Sequence, residues 1–80
     1  MSTMEQRLKI IMADVFEISP DEINESTTME SIEGWDSLKH IQLVMAIEEK
    51  FGIVFEAEEI AEITSFSGIK DILRNKGLDI

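Results

Sequence analysis

The sequence predicts an all-α protein, a small four-helix bundle of three longer helices and one short helix, with a long loop between the first and second helices. Apolar residues recur at helical spacing in several segments, and capping residues mark the ends of those segments. No segment keeps the alternation of apolar and polar residues that is typical of a strand. With 80 residues and no cysteine, residues 1–80 are predicted to form a single domain that is stabilised by packing alone.

The first helix is predicted to run roughly from Thr3 to Phe16. Its apolar residues fall on one side of a 3.6-residue period, and Ser2 and Glu5 match an S-x-x-E capping box. Residues 19–22 then indicate a short helical turn with proline in its first position. The polar segment 24–36 predicts the long loop, and a loop of this length in a small domain is usually functional or mobile.

The second helix is predicted to begin at Asp36 or Ser37 and to end at Gly52, because glycine suits the left-handed residue that follows a helix. Residues 57–62 indicate a short third helix. The last helix is predicted to follow a cap at residue 64 or 65 and to end near Gly77.

Acidic residues outnumber basic residues by 17 to 7, for a formal net charge of −10. Residues 10–38 contain eight acids and no lysine or arginine. A field of this sign repels nucleic acid and anionic lipid headgroups and attracts basic protein surfaces. Disorder is not expected, because 44% of the residues are hydrophobic and they are patterned.

Neither a membrane span nor a signal peptide is expected from the sequence. No segment reaches the roughly 18 apolar residues that a span needs. Residues 1–10 lack a basic region followed by an apolar run. We therefore expect a cytoplasmic protein, and a monomer.

The second helix carries two apolar faces. Leu38, Ile41 and Met45 form one face, which lies beside Ser37. One face is enough to attach a helix to a bundle, so this face is either buried by a second element or exposed as a docking stripe for a partner. The other face contains Leu43, Val44, Ile47 and Phe51, with His40 among them.

Ser37 directly follows Asp36 at the start of this helix. Serine and aspartate at such a position are ordinarily caps. The unpaired backbone N–H groups and the helix dipole there also suit a phosphate group. A phosphodiester on Ser37 would therefore be tolerated even on an acidic protein.

The segment GWDSLKHIQLVMAIEEKFGI (residues 34–53) resembles the prosthetic-group attachment region of acyl carrier proteins. The acidic segment EAEEIAEITSFSGIKDIL (residues 56–73) is similar to the third and last helices of that family, and MEQRLKIIMADVFEISPDEI (residues 4–23) is similar to its start. The resemblance therefore spans nearly the whole chain.

The resemblance implies that a phosphopantetheinyl transferase attaches 4′-phosphopantetheine from coenzyme A to Ser37, and that the thiol of this arm carries acyl groups as thioesters. Asp36 and Leu38 match the rest of the attachment motif, and Asp36 would help to position the transferase or its magnesium. The implied partners are this transferase and acyl-loading and acyl-using enzymes with basic docking surfaces.

The positions that match partner recognition are Leu38, Ile41, Met45 and Glu48. The candidates for an acyl pocket between the second and third helices are Ile47, Phe55, Ile60, Ala61 and Ile63, although these residues could equally be ordinary core.

The chain departs from the family pattern around Ser37. Lys39 and Gln42 stand where the members of fatty acid biosynthesis usually have acids, and Trp35 stands where small residues are common. Trp35 is predicted to pack over the bundle. These departures predict an acyl carrier for a specialised lipid or secondary-metabolite pathway. A stand-alone aminoacyl or peptidyl carrier is the alternative.

Other functions are less well supported by the residues. His40 lies within helical reach of Ser37, and Ser–His pairs act as nucleophiles in some enzymes. No glycine-rich elbow accompanies the pair, so we predict a hydrogen-bonded core histidine and no enzyme. The acids of segment 21–36 lack the spacing of a calcium loop, and no metal site is predicted. An acidic adaptor without a prosthetic group would suit the charge but leaves Ser37 without a role.

Overall fold

The computed structural model describes residues 3–80, and they form the all-α bundle that the sequence predicts. Helix α1 spans Thr3–Phe16, α2 spans Ser37–Phe51, α3 spans Ala57–Glu62 and α4 spans Phe66–Asn75, with a 3₁₀ turn at Pro20–Glu22. The predicted capping box at the start of α1 involves Ser2, which lies outside the described residues. Within residues 3–80 no helix has both the length and the apolar composition to cross a membrane.

The ends of α2 are set by their caps. The Asp36 side chain accepts the N–H of Lys39 at 2.9 Å, which satisfies one of the amides that a helix start leaves without an internal partner. At the other end Gly52 adopts a left-handed conformation with φ of 65°, and Ile53 donates its N–H to the carbonyl of Glu48. Both predicted ends of this helix are therefore confirmed.

Helices α1 and α2 pack side by side and run in opposite directions. The ring of Phe16, the last residue of α1, lies 4.8 Å from the ring of Trp35, just before α2 begins. At the opposite end of the pair, Arg7 of α1 and Lys50 of α2 line the same groove. The predicted packing of Trp35 over the bundle is confirmed, because only 7% of its surface is exposed.

The connection from α1 to α2 is anchored at several points along its length. Ile23 and Ile32 are buried in the core, as is the polar Thr27. The Thr27 carbonyl accepts the N–H of Phe66 at 3.0 Å, and Met29 donates its N–H to the Thr64 carbonyl at 2.7 Å. The connection is thereby held against the junction between α3 and α4.

The core consists of residues from α1, α2, α4 and the connecting segments. Helix α3 contributes none, since its own residues are half-buried or exposed. This pattern leaves α3 attached by few side chains and by its flanking residues. The largest fully buried side chains are Phe66, Leu8, Met12, Ile23, Leu43, Ile47, Ile63, Ile69 and Leu73.

Lys70 of α4 is a buried cation that joins three parts of the fold. Its Nζ lies 2.6 Å from Oε1 of Glu5 on α1, and it also pairs with Glu25 in the long connection. The same ammonium lies 4.8 Å from the centre of the Phe66 ring. Burial opposes the charge on Lys70, but its hydrogen bonds to the two carboxylates outweigh this and raise its pKa.

Candidate functional site

Ser37 is the first residue of α2, and its side chain is exposed to solvent. It follows the cap residue Asp36, whose carbonyl accepts the N–H of His40 at 2.8 Å. The first turn of a helix carries backbone N–H groups that point outward and a positive dipole end. Ser37 therefore combines a reachable hydroxyl with a local field that favours an anion.

The second apolar face of α2 is open to solvent. Leu38 is 65% exposed, Ile41 50% and Met45 62%. We call these three residues the apolar stripe. It starts next to Ser37 and continues along two turns of α2, on the side away from the core residues Leu43 and Ile47. Three exposed apolar side chains in a row are typical of a surface that binds a partner.

Lys39, which is unusual beside such a serine, is directed toward α1. Its Nζ lies 4.0 Å from Oε2 of Glu17. Glu17 itself has a left-handed φ of 58° at the end of α1. The pair therefore partly neutralises the lysine charge close to Ser37.

Glu48 has a structural contact that the sequence did not predict. Its Oε2 accepts the backbone N–H of Phe55 at 2.8 Å, across the turn between α2 and α3. The side chain is half-buried. Glu48 therefore helps to hold the segment that leads into α3, whatever its part in partner recognition.

Replacing Glu48 with alanine is expected to destabilise the protein by about 1 kcal/mol, because the Phe55 N–H loses its acceptor. In a domain of this size this corresponds to a fall in melting temperature of roughly 4–8 °C. Glu48→Gln keeps an acceptor oxygen and is expected to melt close to the wild type. Thermal unfolding followed by circular dichroism measures both, with the exposed neighbour Glu49→Ala as the control. Equal losses in Glu48→Ala and Glu48→Gln would contradict the role of this hydrogen bond.

A cavity of about 340 Å³ lies directly beside Ser37. Its walls come from three parts of the chain: the long connection, the first turns of α2 and the end of α3 with the residue pair that follows. Most of the lining is apolar. The lining residues are Met29, Ser37, His40, Ile41, Ala61 and Thr64.

His40 forms part of this cavity and is hydrogen-bonded at both ring nitrogens. The indole N–H of Trp35 donates to Nδ1 at 3.1 Å, and Nε2 lies 2.9 Å from the carbonyl oxygen of Ile60. An indole nitrogen can only donate and a carbonyl can only accept, so the ring carries its proton on Nε2. The lone pair that a general base for Ser37 would need is already occupied by Trp35.

The five residues that the sequence indicates for an acyl pocket are not all brought to this cavity. Ala61 lines it, and Ile60 is half-buried next to it. Ile47, Phe55 and Ile63 lie deeper, with at most 5% of their surface exposed, as members of the packed core. The assignment of all five to a cargo pocket stays a prediction.

Met29 and Thr64 were not indicated by the sequence because no local pattern places them near Ser37. They reach the cavity through the backbone hydrogen bond that joins them across the fold. The contact between Trp35 and His40, in contrast, has a recognisable signal. Trp35 stands just before the cap residue Asp36 and His40 stands four residues after it, which is the spacing of a hydrophobic staple.

The chain matches the family model described as "Phosphopantetheine attachment site" over residues 6–73. The match covers most of α1, the long connection, α2, α3 and most of α4, and it includes Ser37 and the apolar stripe. Members of this family are carriers whose cofactor is covalently bound 4′-phosphopantetheine. The chain belongs to the phosphopantetheine attachment site family.

Proposed function

We propose that the protein is an acyl carrier protein, with 4′-phosphopantetheine attached to the hydroxyl of Ser37. The observation that carries this proposal is the exposed Ser37 hydroxyl at the first position of α2, directly beside the apolar stripe. The family match supplies the cofactor, and this geometry supports the attachment residue.

The residues around Ser37 fit a phosphodiester. The first-turn backbone N–H groups of α2 favour a negative charge at this position. Asp36 uses Oδ1 as the helix cap, and its carboxylate would help to position the transferase or its magnesium. Ser37 is itself exposed to solvent, so an enzyme can reach it.

When bound, the phosphopantetheine arm supplies a terminal thiol that holds cargo as a thioester. The protein contributes presentation and docking and performs no chemistry on the cargo. Ser37 fixes the arm at an exposed helix end, and the apolar stripe with the surrounding acids orients a basic partner. Cargo then reaches successive active sites at a raised effective concentration.

The proposal is tested by intact-mass measurement. The purified protein is incubated with coenzyme A, magnesium and a phosphopantetheinyl transferase of broad specificity. An acyl carrier gains the mass of the phosphopantetheine arm on a single residue, and peptide mapping should place it on Ser37. An acidic adaptor would gain nothing, and that result would overturn the proposal.

We further propose that the cargo belongs to a specialised lipid or secondary-metabolite pathway and that the protein works in the cytoplasm. Lys39, paired with Glu17, makes the start of α2 less acidic than a housekeeping carrier would be. An aminoacyl or peptidyl cargo is the alternative. Mass analysis of the thioester on protein isolated from its host distinguishes the two, and efficient cycling by general fatty acid elongation enzymes would contradict a specialised role.

Shortening Met45 to alanine is expected to weaken partner docking with little change in stability. Met45 is 62% exposed, so its side chain contributes little to the core but can be buried by a partner. Loss of about 1 kcal/mol of interface burial corresponds to a roughly 3- to 10-fold fall in kcat/KM of the transferase.

The control is Ile10→Ala, since Ile10 is similarly exposed on α1 but lies outside the apolar stripe. It should leave kcat/KM unchanged. A melting temperature that falls by more than a few degrees in Met45→Ala would show that Met45 belongs to the core. Equal kinetic losses in both variants would show that the stripe is not a docking surface.

A further inference from the structure

The His40 ring is a bridge between α2 and the end of α3. It receives the Trp35 indole N–H at Nδ1 and gives its own Nε2 proton to the Ile60 carbonyl. Trp35 is in turn held by its ring contact with Phe16. The imidazole is thus fixed on both sides, and it fastens the backbone of α3, which contributes no fully buried side chain of its own.

This bridge stands between the cavity and the core. On its outer side the ring lines the cavity together with Ser37 and Ala61. Ile47 lies further along the same face of α2 and is fully buried, as is Ile63, the residue that follows α3. The arm starts at Ser37 and carries the acyl group on its terminal thiol. An acyl group that enters between α2 and α3 from the side of Ser37 would meet the His40–Ile60 hydrogen bond before these residues.

We propose that His40 determines cargo length: its bridge to Ile60 closes the route between α2 and α3 and confines a tethered acyl chain to the outer cavity. This inference rests on the proposed attachment at Ser37. The carrier then shelters short acyl groups, and the distal part of a long chain stays outside the bundle. Removing the bridge opens the route toward the core.

The cavity beside Ser37 is open to solvent. A cavity of about 150 Å³ holds a benzene molecule in another protein, and this space is larger, at about 340 Å³. It can shelter part of an acyl chain against its walls, but only burial beyond His40 would remove a long chain from water. Any deeper insertion would have to separate α3 from α2.

The experiment compares acyl chain length with thermal stability. Wild type and His40→Ala are loaded by the transferase with 4′-phosphopantetheine from coenzyme A, or with its butyryl, octanoyl or dodecanoyl thioester from the matching acyl-coenzyme A, and loading is verified by mass. The melting temperature of each acyl form is then referred to the pantetheine form of the same variant. This reference removes any general loss of stability caused by the substitution.

We expect the wild type to gain little beyond butyryl, with the octanoyl and dodecanoyl forms within about 2 °C of it. In His40→Ala the melting temperature should rise with chain length, by roughly 5 °C or more at dodecanoyl, because each buried methylene adds stability. Equal rises in both proteins, or no rise in either, would overturn the inference.

Two further variants separate the hydrogen bond from the bulk of the ring. The amide in His40→Gln offers N–H donors and a carbonyl acceptor, so this variant should behave as the wild type if the bridge is what matters. Trp35→Phe keeps a ring beside Phe16 but removes the donor, and it should give an intermediate rise. It also serves as the test if His40→Ala does not fold, and a flat response in Trp35→Phe would then count against the inference. Failure of the wild type to load would instead contradict the attachment at Ser37.

Discussion

Replacing Ser37 with alanine is expected to abolish the mass gain from the transferase reaction completely. The side chain supplies the only atom of this residue that can form the phosphodiester, so the effect is a loss and not a reduction. The fold should be unaffected, because Ser37 is exposed and the capping side chain belongs to Asp36. Intact mass measures the loading, and thermal unfolding followed by circular dichroism measures the stability, which should be unchanged.

Two variants serve as controls for this result. Ser26→Ala removes another exposed serine, one in the long connection, and should load as the wild type does. Asp36→Asn keeps the cap oxygen for the Lys39 N–H and removes the charge. It should load more slowly without losing stability, whereas Asp36→Ala should also lose about 1 kcal/mol as a lost cap. Loading of Ser37→Ala at any other residue would refute the assignment of the site.

Replacing Lys70 with methionine is expected to destabilise the protein by about 2 kcal/mol at neutral pH. Methionine keeps the apolar stem against Phe66, but the ion pairs of Lys70 with Glu5 and Glu25 are lost. In a domain of this size the melting temperature should fall by roughly 8–16 °C. This is a large share of the stability that an 80-residue domain without disulfides has.

The pH dependence of this loss of stability shows whether the lost ion pairs cause it. The hydrogen bond from Lys70 holds the pKa of Glu5 below its ordinary value of 4.5. A lowered carboxyl pKa adds stability above pH 4.5 that is lost as pH falls through the folded-state value. Because the pKa of Lys70 is raised above 10.5, its contribution to folding stability is fully present below pH 10.5. That contribution is lost only as pH rises through the folded-state value. The difference in stability between wild type and Lys70→Met should therefore be constant near neutral pH and shrink below pH 4.5. A difference that persists at pH 2 would indicate lost packing instead.

The helices and the attachment motif could be predicted from the sequence because their signals are local. Asp36, Ser37 and Gly52 mark the limits of α2 through the conformations that their own side chains favour. The two faces of α2 follow from its 3.6-residue period. The same period could not tell whether the face of Ile41 and Met45 is covered, since that depends on elements distant in the chain.

The sequence by itself therefore determined an acidic four-helix bundle, the limits of α2, and a serine at its start beside a second apolar face. The tertiary structure alone decided that this face is exposed, that Glu48 supports the turn into α3, and that His40 bridges Trp35 and Ile60. The physical reason is the range of the interactions. A cap or a helical period involves residues within one or two turns of each other, whereas the cavity beside Ser37 requires three segments that meet only when the core closes.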